Sequence, residues 1–185
     1  MSPARRLAWV MASTLSLTAG AAGFDAPVLE LGPVLGARAW SGTDDSVLLG
    51  GHLTLGVRLD RVRFGVVGQA LYARTFNGLG VDLGAFVSWD FVLVDLDSRL
   101  SAGAFLRLDG AARYLPSANE WGAVPRLSIG GHAGGYSISV GAGPELGLHL
   151  PGGSGWGFTA DVRFGVELFE AVWLFERIRE EDSPP

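Results

Sequence analysis

Segment after segment of this chain alternates with a period of two, placing aliphatic residues in one phase and glycine, serine or a charged residue in the other. In Leu53-Thr54-Leu55-Gly56-Val57-Arg58-Leu59 every second residue belongs to a greasy face, and the same holds over 81–93 and 136–150. Successive strand side chains point to opposite sides of a sheet, so the chain is committed to a sheet with two unlike faces. What the protein does then turns on which face meets water.

Composition narrows the answer. The 185 residues suit one domain. Cysteine is absent, which excludes a disulfide framework, a cysteine-ligated metal and lipid attachment through a thiol. Nineteen carboxylates outnumber fourteen basic residues, all of them arginine, so a nucleic-acid partner is not expected. With 28 glycines and a mean hydropathy of +0.30, the chain resembles neither a disordered nor an ordinary soluble protein.

Residues 1–23 read as a secretory signal peptide. Arg5 and Arg6 precede a short apolar run over 7–17, and Ala19-Gly20-Ala21 is a small-residue exit, with cleavage expected near 21–23. Ser13, Thr14 and Ser16 make the run a poor membrane span. Removing the two arginines, with no acidic residue lost, takes the net charge from −5 to −7. No later stretch is long and apolar enough for a spanning helix, so any membrane residence must use strands.

Eight strands are expected, over 27–40, 47–59, 62–74, 79–94, 99–114, 122–132, 136–150 and 156–169. The connections alternate in character. Asp60-Arg61, Asp95-Leu96-Asp97-Ser98 and Ala133-Gly134-Gly135 are tight, and the intervening ones are longer. Short turns at one end and longer loops at the other describe an all-β, eight-stranded, antiparallel up-and-down transmembrane β-barrel over residues 24–175, with both termini at the short-turn end.

Charge alone does not say which phase is inside. Glycine does. Thirteen strand glycines, Gly84, Gly130 and Gly143 among them, share the phase of the charges. On a solvated face glycine only weakens a strand, whereas in a narrow eight-stranded bore it makes room for larger side chains. The polar phase is therefore read as the lumen and the apolar phase as the lipid face. The lumen network expected on this reading comprises Glu30, Arg38, Arg58, Arg63, Asp82, Asp90, Arg99, Arg107, Asp109, Arg126, Glu145, Asp161, Arg163 and Glu167, with His52, His132, His149 and Gln69 among them. Buried charges need partners. Hairpins paired symmetrically about their connections would set Arg63 opposite Asp90, and Glu145 opposite Asp161 with Arg163 diagonal to both.

Aromatic residues support the same orientation. Tyr72, Tyr114, Trp121, Trp156 and Phe158 lie near the longer loops, and Phe64, Trp89, Phe91, Tyr136 and Phe164 near the short turns, as two interfacial belts would require. Trp40 falls in the lumen phase and does not fit.

On strand number, alternation and leader, the chain resembles the small eight-stranded outer-membrane barrels of Gram-negative bacteria, of the OmpA transmembrane-domain and OmpX type. That resemblance implies outer-membrane localisation, contact with outer-membrane lipid and insertion by the barrel-assembly machinery. The chain departs from the group at its end: alternation fails after Phe169, and Ala171, Leu174, Phe175 and Ile178 equally suit one face of a short helix, ahead of an acidic, proline-terminated tail over 176–185.

Three function classes follow. The leading one is a structural or surface barrel with a plugged lumen and no open pore, since eight strands leave a bore that side chains fill. A second is a barrel enzyme acting on lipid A acyl chains, for which His52-Leu53-Thr54 and His149 near Ser154 and Asp161 are the candidate groups. A third is a secreted, lipocalin-like barrel with the apolar phase lining a ligand cavity. Three histidines on three strands converge on no ligand set, so no metal and no other cofactor is expected.

Overall fold

Each strand hydrogen-bonds to the next along the chain and the last returns to the first, closing an eight-stranded barrel with every pairing antiparallel. The computed structural model describes residues 26–40, 46–73, 78–97, 100–116, 119–149 and 153–181; the expected signal peptide lies outside them. The strands are β1 (Ala26–Trp40), β2 (Ser46–Leu59), β3 (Val62–Ala73), β4 (Gly78–Asp97), β5 (Leu100–Leu115), β6 (Glu120–Ala133), β7 (Tyr136–His149) and β8 (Gly153–Glu167). After β8 the chain turns directly into a helix, α1 (Leu168–Glu181). Strand therefore ends two residues before Phe169, and the segment that suited either strand or helix is helix.

The tight turns show why one end of the barrel is trim. Leu59 pairs with Val62 around Asp60-Arg61, and Asp60 takes a φ of 52°. Ala133 pairs with Tyr136, so this turn is Gly134-Gly135 alone, with φ of 56° and 87°, the left-handed pair that a two-residue hairpin turn selects.

Hairpin symmetry misplaces two registers. Arg63 lies opposite Ser88, not Asp90, because the loop joining β3 to β4 spans 74–77 rather than 75–78. Glu145 lies opposite Gly157 and Asp161 opposite Gly141, because glycine-rich residues counted as loop, Gly153 and Gly155, are already in β8.

The two phases separate as the glycine argument requires. Arg38, Asp82, Asp109, Glu145 and Arg163 are buried inside, while Leu49, Leu83, Val66, Ile129 and Val140 are exposed outside, Leu83 by 66%. A cavity lined by the apolar phase, as in a soluble ligand-carrying barrel, is the reverse of this arrangement. Inward glycines sit where neighbouring strands come closest. A methyl group on Gly84 would overlap the Gly110 carbonyl oxygen and lie 2.6 Å from Ala111 Cα, and one on Gly130 would lie 2.6 Å from the Phe105 ring. Outward, a methyl on Gly110 would meet nothing within 4 Å.

Candidate functional site

The enclosed charges form one long chain and three smaller groups inside the bore. Toward the longer loops runs a single chain of ion pairs. Arg38 meets Glu145 at 2.8 Å, Glu145 meets Arg113 at 2.7 Å, and Arg113 grips Asp82 through Nε at 2.7 Å and Nη2 at 2.8 Å, a bidentate clamp. Asp82 lies 3.8 Å from Arg126, which contacts Asp161 at 2.9 Å. Asp161 meets Arg163 at 3.2 Å, Arg163 meets Asp109 at 2.7 Å, and Asp109 ends on Arg107 at 2.7 Å. Five arginines thus thread four carboxylates. Gln69 accepts from Arg126 at 3.2 Å, and Thr54 accepts from Arg107 at 3.3 Å. The Arg107 guanidinium also lies 4.3 Å from the centre of the Phe86 ring, a cation–π contact within the bore.

Toward the short turns the groups are smaller. Arg63 reaches Asp90 at 3.2 Å and Glu167 at 3.4 Å, and its Nη2 donates to His132 Nε2 at 2.8 Å. Asp90 is fully buried, and although it is not directly opposite Arg63 the diagonal of the ladder brings the two together. Glu30 accepts from Ser137 at 3.0 Å and pairs with His52 at 2.9 Å. Arg58 lies 3.5 Å from Glu170.

Glu170 comes from α1 and is buried at this end of the barrel. It accepts from Ser101 at 3.2 Å and from the Gly135 amide at 3.1 Å, fastening the helix to the turn between β6 and β7. Ala171 packs beneath that turn, close to where a side chain on Gly135 would project.

Thirteen of the fourteen residues expected in the lumen are therefore in ionic contacts inside the barrel, and Arg99 lies outside the described residues. Glu145 and Asp161, expected to face each other with Arg163 between, belong to different links: Glu145 takes Arg38 and Arg113, and Asp161 takes Arg126 and Arg163. Two members went unread. Arg113 shares the parity of Arg107 and Asp109, so its inward direction was available from alternation alone. Glu170 follows the point where alternation fails, and nothing in a period of two places it.

The candidate enzymatic groups are tied into the same network. His52 pairs with Glu30 through Nε2 and the Thr54 hydroxyl accepts from Arg107, and no hydrogen bond joins His52 to Thr54 as base and nucleophile would require. The side chains of His149 and Ser154 lie outside the described residues, and Asp161 is engaged by two arginines. Among the described residues no group of three His, Asp or Glu side chains is arranged to hold a metal ion.

The outer wall carries both aromatic groups on its exposed face, with Tyr72, Trp121, Trp156 and Phe158 toward the longer loops and Phe64, Trp89, Phe91, Tyr136 and Phe164 toward the short turns. Tyr114 stacks on Trp121 with ring centres 4.4 Å apart, and the side chain of Trp40 lies outside the described residues. A shallow depression of about 740 Å³ marks the wall where Pro33, Gly51, Gly68 and Ala70 are small.

No protein-family model matches the chain, and no curated protein matches it. Among solved structures, that of Neisserial surface protein A is similar over 76% of this chain and 96% of that one, with 14% identity and a TM-score of 0.44. The barrel assignment rests on the strand pairing itself.

Proposed function

We propose that the protein is an integral barrel of the bacterial outer membrane with a structural or surface role, its bore filled by its own ionic side chains. One observation carries the reading: apolar side chains are exposed on the outer wall of every strand while the charges are enclosed. A soluble protein does not expose apolar surface on that scale, and lipid demands it. Closure matters equally, because a barrel without free edges satisfies its backbone internally, the condition for crossing a bilayer on strands.

The short-turn end, where β1 begins and α1 follows β8, faces the periplasm on this reading, and the longer loops face outward. Outer-membrane lipid surrounds the wall, and the barrel-assembly machinery inserts the chain. Arg107, Phe86, Arg126 and Arg163 occupy a bore that eight strands make narrow, so open flow is not expected. The reading is non-enzymatic, supported by the engagement of His52 and Thr54 with other partners.

Two measurements test it. The protein should stay with the membrane fraction until detergent is added, float with lipid vesicles, and migrate faster on a gel before boiling than after. Recovery of folded protein in a detergent-free soluble fraction would overturn the reading. In planar bilayers, conductance steps of porin size would overturn the filled bore.

A further inference from the structure

α1 follows the short-turn rim of the barrel and meets it with only part of its surface. Glu170 points to the bore, where it accepts from Ser101 and the Gly135 amide and pairs with Arg58. Ala171 and Leu174 lie against the β6–β7 turn: a methyl on Gly135 would come 3.1 Å from Ala171 Cα, and one on Gly134 would come 3.8 Å from Leu174 Cδ2. From Ala171 to Leu174 the helix thus passes the turn from its β7 side to its β6 side, along the rim.

Helical spacing says what lies on the other side. At about 100° per residue, Leu174 and Ala171 stand about 40° and about 100° round the helix from Glu170, and Phe175 and Val172 about 140° and about 200°. The bore, the turn and the outside of the wall therefore follow one another round α1. Phe175 and Val172, on the outer flank, are left 64% and 55% exposed.

Height joins this flank to the lipid-facing wall. Tyr136 follows Gly135 directly and stands exposed in the short-turn aromatic belt with Phe164. One strand residue rises about 3.3 Å, so the turn on which α1 packs lies within the depth of about 5–10 Å to which interfacial helices bury their apolar side. A helix satisfies its own backbone, so its side chains alone decide what surrounds it. Water would leave two large apolar side chains exposed, and a protein partner would first have to displace the lipid that surrounds the belt.

We infer that α1 is an interfacial helix whose outer flank, Val172 and Phe175, docks on the phospholipid surface beside the rim, at the boundary between head groups and acyl chains. Glu170 fastens one side of α1 to the barrel, and lipid holds the other. This inference rests on the membrane reading above.

Because the chain has no cysteine, Phe175→Cys takes a single environment-sensitive dye, read on the full chain in phospholipid vesicles after the unboiled gel shift has shown it folded. Phospholipid brominated near the head-group end of its acyl chains should quench the dye about twofold or more, phospholipid brominated near the chain ends less, and iodide on both sides of the membrane hardly at all. Quenching by iodide but not by lipid bromine places the flank in water and overturns the inference. Protection from both places it against protein, a second copy included, and overturns it as well. The same dye on Leu83→Cys, at mid-height on the wall, should be quenched most by chain-end bromine. If bromine quenches the Leu83 probe but not the Phe175 probe, this inference alone fails; if it quenches neither, the proposed function fails first. A further variant carries no dye: Val172→Gln/Phe175→Gln keeps helix propensity and should speed amide exchange over 171–175 about tenfold in vesicles, and unchanged exchange overturns the inference.

Discussion

Along β5, Arg107 and Asp109 face inward while Leu106 and Leu108 face outward, and the two sets obey different rules. Inside, each side chain is specified by its partner: Arg107 by Asp109, Asp109 also by Arg163, and Arg163 by Asp161. Outside, any apolar residue serves, because a wall facing lipid asks only for chemistry, not for fit. One backbone therefore carries a jigsaw on one face and a coating on the other.

Removing one piece of the jigsaw should produce the largest effect. Glu145 is 1% exposed and stands between Arg38 and Arg113. Glu145→Ala leaves two buried cations without that carboxylate and is expected to lower stability by about 3–5 kcal/mol, measured from urea unfolding in lipid vesicles. The coating has one prohibition, which gives the next effect. Leu83→Arg puts a charge at mid-height on the lipid face and should destabilise by about 2–4 kcal/mol, whereas Leu83→Val should pass almost unnoticed. If arginine were tolerated at Leu83 as well as valine, the outer wall would not be facing lipid.

Glycine sharpens the contrast at adjacent sites. Gly84→Ala drives a methyl into the backbone of β5 and is expected to lose about 1–3 kcal/mol in the same assay. Gly110→Ala, across that ladder on the outer face, adds a methyl to open space and should change stability by less than about 0.5 kcal/mol. Equal effects at the two glycines would mean that the inner face is not the crowded one.

Much of this was legible because parity is a local property. A residue's face is known from its neighbours, so the inward direction of Arg38, Asp82, Asp109 and Arg163 needed no knowledge of which strands pair. Register is different: it depends on where a turn begins, and glycine reads equally well as loop or as strand where backbones crowd. Gly153 and Gly155 belong to β8 for that reason, and the expected facing of Glu145 and Asp161 failed with them. Arg63 with Asp90 and Asp161 with Arg163 still meet, but partners across the bore were out of reach, since Arg38 and Glu145 are 107 positions apart and share no ladder. Glu170 was out of reach, because a helix that folds back under a barrel mouth leaves no trace in a two-residue period.

Seven of the eight ladders join consecutive strands, and one joins β1 to β8. The hairpins close over short loops, whereas the pairing of Gly36 with Asp161 closes a loop of more than a hundred residues, a far costlier loss of chain entropy. The closing seam is thus expected to form last and to open first. Because α1 leaves from the end of β8 and its Glu170 also reaches Arg58 on β2, beyond the seam, that contact can form only after the seam has zipped. The helix then acts as a record of completed assembly, and hydrogen exchange should find its amides and those of the β1–β8 seam released together, ahead of the hairpins.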